Sequence, residues 1–138
     1  MYCPYITPPS VVREQLYNNN TIINQNEQSL SLRVTGTSGL AQNESRAVFK
    51  NISMDMRQFK NIKMFLHAES AGQELGDNEM SAFLRFGNDF TQNYYEVELP
   101  LKVTSPIDAN TSEKVWPVEN NLDLPLDLLT KIKILAMS

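Results

Sequence analysis

The sequence predicts an all-β protein: a jelly-roll-like (galactose-binding-like) β-sandwich with one short C-terminal helix. Three observations lead there. Apolar and polar residues alternate in several short runs, loops of about ten residues separate them, and hardly any stretch keeps a helical period. The strongest element lies in residues 83–99, FLRFGNDFTQNYYEVEL, which reads as two strands joined by a polar turn around Gly87-Asn88-Asp89.

The elements follow in order. Residues 1–27 form an extended arm, because Pro8 and Pro9 lack amide donors and fix φ. Val11 to Tyr17 suits one or two helical turns, and Asn18-Asn19-Asn20 breaks any regular element. The sandwich domain spans residues 28–138. Leu30, Leu32 and Val34 alternate with Ser29, Ser31 and Arg33, giving a half-buried strand, and Ala47-Val48-Phe49-Lys50 gives a second. A helical turn fits residues 54–57. Ile62, Met64, Leu66 and Ala68 alternate with Lys63, Phe65, His67 and Glu69 as a third strand. The hairpin occupies residues 80–86 and 93–99, and Leu101-Lys102-Val103 continues past an edge or bulge at Pro100. Residues 124–129 read as a short helix with Pro125 in its first turn and Asp127 near its positive end. Ile132, Ile134 and Ala136 resume strand alternation. No internal repeat is apparent.

Composition narrows the function. The chain has 138 residues, enough for one domain with a real core, and 41% hydrophobic with 20% charged residues is ordinary for a globular protein. A net charge of −4 and scattered basic residues argue against nucleic acid, since no basic stripe exists to neutralise phosphates. No apolar run approaches the ~20 residues of a membrane-spanning helix. The N-terminus lacks a charged and apolar leader, so it reads as no signal peptide, and a domain outside the cytoplasm would be an excised piece of a longer chain. Cys3 is the only cysteine, which excludes an intrachain disulfide; it lacks the apolar flank of a lipidation signal.

No catalytic or metal signature is present, and no cofactor is expected. His67, the only histidine, has no nucleophile motif such as GxSxG to serve and reads as structural. Asn88-Asp89 and Asp77-Asn78 offer oxygen ligands for calcium, but turn chemistry explains them more simply. Glu96 and Glu98 share a strand face without a marked cleft, so an enzyme is not expected. The sequons at Asn19, Asn43, Asn51 and Asn110 follow from an Asn-rich composition.

Strand phase selects the candidate binding face. With Ala82, Leu84, Phe86, Tyr95, Val97 and Leu99 turned to the core beside Ile62, Met64 and Leu66, the opposite face carries Phe65, His67, Phe83, Arg85, Tyr94, Glu96 and Glu98. Arg85 and Glu96 should be neighbours. Trp116 is a core or loop anchor, or else a sugar-stacking ring. Such a face suits a carbohydrate-binding module or a surface covered by protein, and the second is the commoner fate.

Several stretches in the same order carry a wider likeness: Tyr5-Ile6-Thr7-Pro8-Pro9 with Arg13-Glu14, residues 26–32 (NEQSLSL), residues 45–51 (SRAVFKN), Asp55-Met56-Arg57-Gln58-Phe59-Lys60 running into residues 62–69 (IKMFLHAE), Leu84-Arg85-Phe86-Gly87, Asn93-Tyr94-Tyr95-Glu96 and Val115-Trp116-Pro117. Through them the chain resembles the SprA/Sov family, giant outer-membrane translocons of the type IX secretion system first associated with gliding motility. The likeness is an overall match rather than a chemical motif. It implies a non-enzymatic soluble β-sandwich inserted among the barrel strands or capping the barrel. Its implied partners are other segments of the translocon, secretion-system proteins and secreted cargo. Its implied place is the cell surface or periplasmic face of the outer membrane. No family functional residue transfers to a position here.

Overall fold

The computed structural model describes residues 3–13, 15–24, 26, 28–35, 38–70, 72 and 74–137. The protein is mostly β, with few helices and small antiparallel sheets. Among the described residues, six strands run β1 (Gln15–Asn18), β2 (Thr21–Asn24), β3 (Asn61–Met64), β4 (Ser81–Gly87), β5 (Tyr94–Pro100) and β6 (Leu122–Pro125), with helices α1 (Ser112–Val115) and α2 (Asp127–Met137). They pair as three two-stranded sheets, β1–β2, β3–β6 and β4–β5. The chain divides into two compact units, residues 12–55 and residues 3–11 with 56–137.

The smaller unit holds the β1–β2 hairpin. Asn19 and Asn20 turn it with φ of 47° and 65°, the double positive φ that matches the twist of a tight hairpin and that Asn tolerates. The helical turns expected over residues 11–17 are therefore corrected: Leu16 and Tyr17 pair with Ile23 and Ile22 instead. The strands expected at residues 30–34 and 47–50 do not form, because alternation alone makes no strand without a ladder. Leu30, Leu32, Val34 and Val48 stay exposed.

In the larger unit, β4 and β5 form the hairpin that the aromatic alternation predicts. The register pairs Ala82 with Leu99, Leu84 with Val97 and Phe86 with Tyr95 on one face, and Phe83 with Glu98 and Arg85 with Glu96 on the other. Gly87 closes the ladder where a Cβ would collide with the Asn93 carbonyl. Asp89 organises the loop: its Oδ1 accepts from the Thr91, Gln92 and Asn93 amides at 2.9, 2.6 and 3.1 Å. These bonds, led by that from Gln92, hold the Asp89 carboxyl well below its ordinary 3.8. A depressed carboxylate loses its stabilising effect as pH falls through the folded value. The amide resonances of residues 91–93 are thus expected to titrate together, and only well below pH 3.8, in an acid NMR series. Movement centred at that ordinary value would contradict the loop geometry.

Past Pro100 the ribbon continues irregularly. Leu101 N–H donates to the Met80 carbonyl at 2.9 Å, and Val103 N–H to Asp77 at 2.9 Å. Asn120, fully buried, acts as a surrogate strand: its Oδ1 accepts from Lys102 N at 2.7 Å, and its Nδ2 donates to Lys102 O at 2.9 Å.

The third strand is shorter than expected and pairs elsewhere. β3 stops at Met64, whose partner Leu122 is the first residue of β6. Before β6 the chain leaves through Pro117 and a tight turn at Val118–Asn120, so β3 runs out of partner. Residues 124–129 are not one helix: Leu124 and Pro125 end β6, and α2 starts at Asp127. The strand expected at Ile132, Ile134 and Ala136 is helix. Leu128, Leu129, Ile132 and Ala136 also satisfy a 3.6-residue period, and Asp127 pairs with Lys131 at 3.4 Å, one turn on.

The core of this unit gathers Ala109, Val115 and Trp116 against Cys3 and Ile6. α1 begins at the Thr111 cap, whose hydroxyl accepts from Lys114 N. The short helix delivers Val115 and Trp116 inward, 2% and 8% exposed.

Candidate functional site

Phe65, His67, Phe83, Arg85, Tyr94, Glu96 and Trp116 fall into two clusters, because β3 pairs with β6 and not with the β4–β5 hairpin. The first cluster is on the hairpin. Arg85 sits between Phe83 and Tyr94, 5.7 and 4.1 Å from their ring centroids, and pairs with Glu96 at 2.6 Å. Its Nη1 donates to the Phe90 carbonyl at 2.6 Å. The guanidinium is therefore occupied on its edge and on its face, and Tyr94 gives one ring face to it. This arrangement fixes strand register; a partly exposed cross-strand pair of this type contributes ~0.2–1 kcal/mol.

The second cluster surrounds Trp116. Tyr5, Phe65 and His67 approach its ring edge-on, with centroids 6.2, 6.4 and 5.8 Å away. The indole N–H donates to the Ile6 carbonyl at 2.6 Å, and the Ser112 hydroxyl donates to the Thr7 carbonyl at 2.7 Å. Trp116 is thus a core anchor that clamps the N-terminal strip, with little ring surface left for stacking on a sugar.

His67 lies beside two residues that did not stand out in the sequence as a group, Cys3 and Glu69. One donor atom from each of Cys3, His67 and Glu69 lies within 4.8 Å of the others, and all three residues are half-buried. His67 and Glu69 share a side of an extended segment because they are two apart. Glu69 Oε2 accepts from the Cys3 amide at 2.8 Å and lies 3.4 Å from His67 Nε2. His67 Nδ1 is 2.6 Å from the Val115 carbonyl, which can only accept, so Nδ1 carries a proton. Burial, followed by the Glu69 carboxylate, pushes the Cys3 thiol up to about 11, so it stays protonated and is a poor nucleophile. Burial also acts to raise Glu69, but the hydrogen bonds from Cys3 and His67 outweigh it and leave the carboxyl lowered. The spacing of His67 and Glu69 is visible in the sequence. The approach of Cys3 from the far N-terminus has no local signal.

The fold and these clusters define a mostly-β unit whose aromatic and charged groups hold chain segments together. No helix among the described residues is long and apolar enough to cross a membrane. The chain belongs to the SprA_N family, described as motility related/secretion protein, whose model matches residues 2–136. The resemblance carried by the stretches from Tyr5 to Pro117 is borne out at that level. A search of curated proteins finds no match.

Proposed function

We propose that the chain is a non-enzymatic, soluble domain of an outer-membrane protein-secretion translocon of the type IX kind, serving barrel structure, gating or partner docking. The match to a motility and secretion family over residues 2–136 carries this reading. The domain works at the outer membrane, on its periplasmic or surface face, against other segments of the translocon, secretion-system proteins and cargo.

The incomplete sheets support a role in assembly. Leu30, Leu32 and Val34 alternate as a strand requires yet stay exposed, and among the described residues each ladder has two strands. Strand addition from neighbouring segments would bury these residues and close the jelly-roll-like sandwich. A clean in-frame deletion of residues 28–137 from the full-length parent is the test. Loss of cargo secretion or of gliding, or a destabilised barrel, is the expected result. Normal secretion with a stable barrel would overturn the proposal.

A further inference from the structure

We propose that Cys3, His67 and Glu69 form a zinc-class metal site that staples the N-terminal strip to the segment following β3. The sequence alone pointed to no metal; the placement of three donors from distant parts of the chain does. Thiolate, imidazole and carboxylate are a donor set suited to Zn²⁺. Metal–ligand lengths of ~2.0–2.3 Å place tetrahedral ligands roughly 3.3–3.8 Å apart. The 3.4 Å between His67 Nε2 and Glu69 Oε2 already meets this, and the 4.8 Å limit on the whole set asks for only a small closure.

The surroundings give an independent reason. The Val115 carbonyl takes the Nδ1 proton of His67 at 2.6 Å. That bond keeps Nδ1 protonated and leaves Nε2, 3.4 Å from Glu69 Oε2, as the ring nitrogen for the metal, the outer-shell device that orients a ligating histidine. Trp116 stands beside the imidazole, 5.8 Å between centroids, and Tyr5 and Phe65 pack edge-on against that indole. On binding, the metal takes the place of the Cys3 thiol proton and of the His67 Nε2 proton that faces Glu69, and both leave to solvent. Three protein ligands leave a fourth position for water or for a group from a neighbouring segment. Here the metal fastens the strip that covers Trp116, the kind of staple a small core uses.

The test titrates the 138-residue chain with Co²⁺ and then with Zn²⁺. One equivalent of Co²⁺ should produce a thiolate-to-cobalt charge-transfer band that Zn²⁺ abolishes, and Zn²⁺ should raise the melting temperature. Cys3→Ser should remove the band, and His67→Gln and Glu69→Gln should each weaken binding at least ~10-fold. Should a variant fail to fold, the band and the melting shift of the unmodified chain decide the matter. Absence of either, or a band that survives unchanged in folded His67→Gln, overturns the proposal.

Discussion

Replacing Trp116 with alanine should unfold much of the larger unit. The substitution empties the centre of a core built with Ala109 and Val115, removes the ring that Tyr5, Phe65 and His67 meet edge-on, and leaves the Ile6 carbonyl without its indole donor. Large-to-small changes of this kind cost ~3–5 kcal/mol, against a total of ~5–15 kcal/mol for a domain. Urea denaturation followed by far-UV circular dichroism measures it, because the substitution also deletes the only tryptophan. Trp116→Phe separates the two contributions. It keeps a ring and loses the N–H, so it should cost clearly less. A neutral Trp116→Ala would mean that the N-terminal strip does not dock on this core.

Asn120→Ala should have the second-largest effect, through polar groups rather than volume. Asn120 is 0% exposed and answers both the amide and the carbonyl of Lys102. Alanine leaves two backbone groups without their partner at ~1–3 kcal/mol each, so a loss of at least ~2 kcal/mol is expected. Faster amide exchange at Lys102 should accompany it. Asn120→Asp keeps the acceptor but loses the donor, and it puts a charge in a buried place; it should be no better than alanine. Unchanged stability in both variants would remove the surrogate-strand role.

The hairpin was legible because its signal is local. Alternation placed Leu84, Phe86, Tyr95 and Val97 on one face, and the register confirms it, with Arg85 opposite Glu96. The elements that depend on distant partners were not legible. The alternation after Ile62 reads as one long strand, but the β6 partner sets its end at Met64. Ile132, Ile134 and Ala136 fit period two as well as helical spacing, and only Leu128 and Leu129 upstream tip the balance. Residues 30–34 show the converse, a strand-like sequence with no ladder. Of the candidate residues, the Arg85, Tyr94 and Glu96 group followed from strand phase. The meeting of His67 with Trp116 and Cys3 depends on a loop and a terminus folding back, which no periodicity encodes.

The clamp between Trp116 and Ile6 joins residues 110 apart, and that separation has a consequence for synthesis. A hairpin such as β4–β5 closes in ~1–10 μs once its strands exist. The strip around Ile6 is made before Trp116 but docks only when Trp116 has followed it. At ~5–20 residues per second that interval is roughly 5–20 s. Throughout it Cys3, Tyr5 and Ile6 travel unshielded on the nascent chain. Within this unit the segment made ahead of its partner core is among the last to be secured, so it is the segment for which a holding chaperone matters most.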